Sequence, residues 1–120
     1  MTAQSPSISP LTTAGVLKKR YAQRLPRSLD DLTGPVHGEV TLPLHVAWSG
    51  LRTYDLDRPR LRMSLYRTVL AEGQADDLAT LLNWDLLLAQ WPVLRTLVSR
   101  HIRLVWEDTF PTLRQVSAAA

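Results

Sequence analysis

Two carboxylates one residue apart, Asp55 and Asp57, are the pair in this sequence best spaced for chemistry. On an extended segment alternate side chains point the same way, so both would face a single divalent metal carrying nucleotide phosphates. Three histidines offer less. His37 and His45 share one strand face but lie about 26 Å apart at strand rise, and His101, on an apolar helical stripe, reads as a hydrogen-bonded core histidine. The chain has no cysteine, which removes thiol nucleophiles, thiolate metal sites and disulfides.

The Asp55/Asp57 pattern is incomplete as an active site. Ser49-Gly50 upstream gives a partial likeness to nucleotidyl-transfer enzymes, which set a Gly-Ser turn before an Asp-x-Asp strand. Here the order is reversed, the spacing is short and no third carboxylate follows on a neighbouring strand. Asp57 also suits a helix N-cap. No serine sits in a Gly-x-Ser-x-Gly elbow, and five scattered glycines make no phosphate-binding loop. Asp85 stands in an apolar helical run, either as a partly exposed group after a capping Asn83 or as a buried carboxylate paired with Arg62, Arg67 or Arg95. The expectation is a non-enzymatic chain with no catalytic residue, metal or cofactor and no small-molecule substrate. A metal-dependent nucleotidyl-transfer enzyme using Asp55 and Asp57 is the third reading.

The element that must position these groups is residues 36–48. Val40, Leu42, Leu44, Val46 and Trp48 alternate with Thr41, Pro43, His45 and Ala47, the period of a strand with one dry face. Pro43 makes it an edge or interrupted strand. Ser49-Gly50 could turn the chain so that residues 51–56 pair back on it, but that register sets Thr53 beside Val46 and Asp55 beside Leu44. Pairing with the same strand of a second copy is the competing solution.

Nearly everything else is helical in pattern. Residues 1–11, rich in Ser, Pro and Thr, read as a flexible tail. Thr12 or Thr13 caps an amphipathic helix running to about Leu25, with Val16, Leu17, Tyr21 and Leu25 on one stripe. Ser28 caps a short turn. Asp57 and Pro59 open a helix that buries Leu61, Leu65, Tyr66, Val69 and Leu70 and ends at Gly73. A second helix runs from about Ala75 to Trp91, apolar almost all round, with Asn83 a point of kinking or splitting. Pro92 is expected to open a third helix reaching about Asp108, with Arg100, Arg103 and Glu107 away from its apolar side. Phe110-Pro111 should end regular structure. The fold class is therefore mainly α with a small β element: a compact three-helix C-terminal bundle, an N-terminal amphipathic helix, and one strand or short hairpin. The domain should span residues 12–113, with residues 114–120 a second tail.

Composition is that of an ordinary globular chain: 120 residues, 45% hydrophobic and 21% charged. No run approaches the roughly 20 apolar residues that span a bilayer, and the first residues lack a signal-peptide pattern, so the expected location is the cytoplasm. Net charge is +3, with ten Lys/Arg against six Asp/Glu up to Gly73 and four against five beyond it. A DNA-binding regulator would use Lys18, Lys19 and Arg20 of the first helix with Arg58, Arg60, Arg62 and Arg67. As a ribbon-helix-helix reader, however, the wet strand face offers only His37, Glu39, Thr41 and His45. A helix-turn-helix alignment over Leu78-Ala79, Leu82 and Trp84 puts Pro92 where an apolar core residue is needed.

In the run Leu44-His-Val-Ala-Trp-Ser-Gly50, then Tyr54-Asp-Leu-Asp-Arg-Pro-Arg60, Leu65-Tyr-Arg-Thr-Val-Leu-Ala-Glu-Gly73, Asp85-Leu-Leu and Trp91-Pro92, the chain resembles a group of short actinomycete proteins. Their function is uncharacterised, and some are labelled transcriptional regulators. The resemblance covers roughly residues 12–113; it implies a cytoplasmic regulatory or interaction role and transfers no site residue. The expected function is contact with another protein, a second copy first. The contact residues would be Val40, Leu42, Leu44, Val46 and Trp48 on the strand and Trp84, Leu87, Leu88 and Trp91 on the central helix. DNA binding is the alternative.

Overall fold

The computed structural model describes residues 13–119. The 1–11 tail and a cap at Thr12 lie outside them. The order is α1 (Thr13–Ala22), a 3-10 turn (Leu29–Asp31), β1 (Glu39–Thr41), β2 (Thr53–Asp55), then α2 (Pro59–Glu72), α3 (Ala75–Leu81), α4 (Trp84–Leu97), α5 (Arg100–Thr109) and α6 (Pro111–Ala119). The protein is mainly helical with one small antiparallel sheet. Among the described residues an apolar cluster runs from Leu32 through Leu65, Val69, Leu87 and Trp91 to Leu113. Among the described residues no helix is long and apolar enough to cross a membrane.

The long strand is the main correction. Only Glu39–Thr41 is extended and paired, and its mate lies within the same chain: Glu39 opposes Asp55, Val40 opposes Tyr54 and Thr41 opposes Thr53. Two flanking bonds, Leu42 N–H to Arg52 O and Leu56 N–H to Gly38 O, both 2.8 Å, lengthen the ladder at each end. This register removes the mismatch that a Ser49-Gly50 turn would impose. Val40 and Tyr54 are both buried, and the Thr41 and Thr53 hydroxyls meet at 2.9 Å. The strand finds its mate within one copy, so the argument that it must pair with a second copy fails. Residues 42–52 are a loop. Pro43 supplies no N–H to a ladder, and its carbonyl accepts from both Val46 and Ala47 at 3.0 Å, coiling the chain into one helical turn. That turn buries Leu42, Val46 and Ala47 and turns Leu44 outward.

Residues 32–34 run antiparallel to residues 81–84. Thr33 N–H donates to Ala79 O, Gly34 N–H to Leu82 O and Trp84 N–H to Leu32 O. Gly34 is required by this approach, since a Cβ there would stand 2.5 Å from the Leu81 carbonyl carbon. Asn83 is the junction. Its side-chain oxygen caps α4 through the N–H groups of Asp85 and Leu86, its amide donates to Gly34 O, and its backbone bonds the Tyr66 hydroxyl. The expected second helix is thereby split into α3 and α4.

Three other boundaries differ from expectation. α1 ends at Ala22, and the side chain of Arg24, over the Tyr21 ring, reaches the carbonyl of Ala71 at the end of α2. Pro92 lies inside α4, where Leu87, Trp91 and Leu94 bury a continuous face on both sides of it; the break falls at Ser99, whose hydroxyl caps α5. Pro111 opens α6. Its first-turn position costs no hydrogen bond, and Leu113 is fully buried, so residues 114–119 are helix where a tail was expected.

Candidate interaction surface

The loop of residues 42–52 is held at several points. At its start the His45 ring nitrogen Nε2 lies 2.7 Å from Asp77 Oδ2, and the same oxygen accepts the Gln74 N–H that opens α3. Within it, the Arg52 guanidinium donates to Leu42 O and the Tyr54 hydroxyl to Leu51 O. At the open end of the hairpin, His37 Nδ1 is 2.8 Å from Asp57 Oδ1, and Gly38 N–H donates to the other oxygen. The His37 hydrogen bond, then that of Gly38, hold the Asp57 carboxyl below the ordinary aspartate value of 3.8. Gly38 (φ 85°) and Gly50 (φ 77°) take the left-handed conformation that these turns need.

Anchored in this way, the loop presents three large apolar side chains to solvent: Trp48 is 81% exposed, Leu44 62% and Leu51 54%. Beneath Trp48 a groove of about 200 Å³ is lined by Val46, Ala47, Leu51, Tyr54, Thr68 and Glu72. It adjoins a second depression along the outer side of α2, of about 370 Å³, formed by Ser64, Arg67, Thr68, Ala71 and Glu72. Singly exposed apolar residues are common, whereas a Trp with two leucines on one restrained loop is the pattern of a contact surface.

The expected contact residues separate into two groups. Val40, Leu42, Val46, Leu87 and Trp91 are buried in the core and cannot meet a partner. Trp84 and Leu88 are partly covered and packed against that core. Of these only Leu44 and Trp48 stand free, joined by Leu51, a residue expected on the pairing strand. The reason is the helical turn at Pro43: it breaks the alternation that put all five strand residues on one face.

Among the described residues the basic side chains line separate depressions. Lys18 and Lys19 line a depression of about 330 Å³ between α1 and α5 together with Asp108, while Arg67 shares its depression with Glu72. Arg20 and Arg60 are exposed. Arg58 lies 3.7 Å from Asp55, and Arg62 donates to Leu56 O, which half-buries it.

Asp55 and Asp57 are similarly engaged. Asp55 Oδ1 accepts the backbone N–H of Asp57 at 2.9 Å, and Asp57 faces His37 and Gly38. Asp57 therefore does not cap α2, whose N-cap is Arg58. Among the described residues no group of three His, Asp or Glu side chains converges to hold a metal ion. Asp85 is exposed in the first turn of α4. The buried carboxylate is Glu107 instead. It accepts from Trp91 Nε1 at 3.0 Å and from Arg95 Nε at 2.8 Å. Burial alone would raise its pKa, but the bonds from Arg95 and Trp91 outweigh burial and hold it below the ordinary 4.5.

Comparison of the chain with protein-family models, with curated proteins and with solved structures returns no match.

Proposed function

We propose that this is a small non-enzymatic cytoplasmic interaction protein, regulatory in role, whose contact surface is the anchored loop of residues 42–52 with the adjoining outer side of α2. The observation that carries the reading is the exposure of Trp48, Leu44 and Leu51 on a loop fixed by the His45–Asp77 contact and the Arg52 and Tyr54 hydrogen bonds. Restraint before contact lowers the ordering cost of association, and an exposed aromatic supplies the anchor that most interfaces use. DNA contact through the arginines is less well supported, because Arg58 and Arg62 already have a carboxylate or a carbonyl close by.

The test is site-specific photo-crosslinking in cells that naturally make the protein. A photoreactive residue at Ser49 should give protein adducts that disappear in a Trp48→Ala background, while one at the exposed Arg100 should not. Equal adducts at both positions, indifferent to Trp48, would refute the reading.

A further inference from the structure

We infer that the partner of this surface is a second copy of the chain, with the two α2 helices side by side and parallel about a two-fold axis. The inference rests on the proposed contact surface and adds the identity and geometry of what covers it.

The first observation is the outer side of α2. At 3.6 residues per turn Ser64, Thr68 and Ala71 fall on one line, and their small side chains let a neighbouring helix come close. Arg67 lies on one flank of that line and Glu72 on the other. Neither has an ion-pair or hydrogen-bond partner in its own copy among the described residues. These are the two positions that face each other across a parallel helix pair, as e and g residues do in a coiled coil. A two-fold axis would form Arg67–Glu72 twice, once in each direction. An antiparallel pair would instead set like flanks together and bring Arg67 towards Arg60 and Arg67 of the other copy.

The second observation is independent of charge. Trp48 and Leu51 share their groove with Thr68 and Glu72, so they lie on the Glu72 flank of the line. In the parallel arrangement that flank meets the Arg67 flank of the second copy. The exposed indole is there offered the guanidinium and aliphatic stem of Arg67 or Arg60. Charge sets the register, and the aromatic contact supplies most of the affinity, since exposed ion pairs contribute little.

The experiment is sedimentation velocity on the full chain across concentration, with circular dichroism to confirm that each variant is folded. The wild type should pass from monomer to dimer at high micromolar concentration. Arg67→Glu alone and Glu72→Arg alone should each weaken the dimer, and Trp48→Ala should weaken it about tenfold or more. An equimolar mixture of the two charge variants should restore association as a heterodimer, and so should the double variant by itself. A wild type that stays monomeric at every concentration would overturn the inference. So would a dimer whose affinity neither reversal changes. A monomer that still gives Trp48-dependent cross-links to a different protein removes the second copy but leaves the interaction surface standing. A monomer with no such cross-links removes both.

Discussion

The indole N–H of Trp91 and the guanidinium of Arg95, one turn apart on α4, donate to the same oxygen of Glu107 on α5, at 3.0 and 2.8 Å. Glu107 is buried and Arg95 is one-third exposed, so this ion pair joins the two helices at the margin of the core. Removing the carboxylate leaves a buried N–H and a partly buried cation unpaired. Glu107→Ala should therefore cost about 3 kcal/mol in denaturant unfolding. Glu107→Gln, which keeps an acceptor for Trp91, should cost less. Because the folded pKa of Glu107 is depressed, its contribution is present above the ordinary value of 4.5 and is lost as pH falls through the folded value. Glu107→Gln should flatten the acid limb of the stability curve.

Much of the fold can be read from local chemistry. Leu65, Tyr66, Val69 and Leu70 follow the helical period and are the buried face of α2, and Gly73 ends it. Gly73 does so in an extended conformation open to any residue, and glycine is needed there because a Cβ would stand 2.7 Å from the Val69 carbonyl oxygen. Prolines are less readable. Pro92 and Pro111 carry the same local signal, yet one sits inside a helix and the other begins one, because buried neighbours and not the ring decide the outcome. Glu107 was unreadable for a related reason: its partners are on another helix. Of the proposed contact surface, Trp48 and Leu44 could be named from the alternation. Their exposure could not, since it depends on the turn that Pro43 closes.

Tyr66 and Asn83 give an alkaline counterpart to the acid prediction. The hydroxyl accepts from the Asn83 N–H at 2.9 Å and donates to its carbonyl, and burial pushes the phenol up to about 12. A raised folded pKa means that this contribution is intact below the ordinary value of 10 and fades as pH climbs towards the folded one. Tyr66→Phe should cost about 1–3 kcal/mol at neutral pH. It should also remove the wild type's steep loss of stability above pH 10, followed by circular dichroism.

Gly34 and Gly38 separate two reasons for glycine. At Gly34 an added Cβ would meet the Leu81 backbone, whereas at Gly38 there is open space but a φ of 85°. Gly34→Ala should destabilise by about 3 kcal/mol, near the upper range for overpacking. Gly38→Ala should cost about 1 kcal/mol, the left-handed penalty of one residue. Equal costs at the two positions would contradict the close contact between residues 32–34 and the end of α3.

His37 and Asp57 can be examined directly because both are exposed. Carboxyl carbon shifts followed by NMR should place the Asp57 midpoint below 3.8 in the wild type. The His37→Ala variant should move it up towards that value, since the largest cause of the depression is the imidazole hydrogen bond. An unchanged midpoint would assign the effect to the Gly38 N–H and the Arg62 charge.

The four tryptophans allow the proposed contact surface to be observed without a partner in hand. Trp48 is 81% exposed, Trp84 is partly covered, and Trp91 and Trp106 are buried. Iodide should quench mainly Trp48, and Trp48→Phe should remove most of the quenchable emission. The indole is mostly exposed, so folding stability should stay within about 0.5 kcal/mol of the wild type. A large loss of stability would mean that the indole is folded against the body and is not available for contact. With the indole free, quenching of the wild type should decline as protein concentration rises, because a second copy would shield it from iodide. The Glu72→Arg chain should show a smaller decline over the same concentrations, since its pairing with Arg67 is replaced by repulsion. Quenching that is independent of concentration in both chains would place the contact on a different partner.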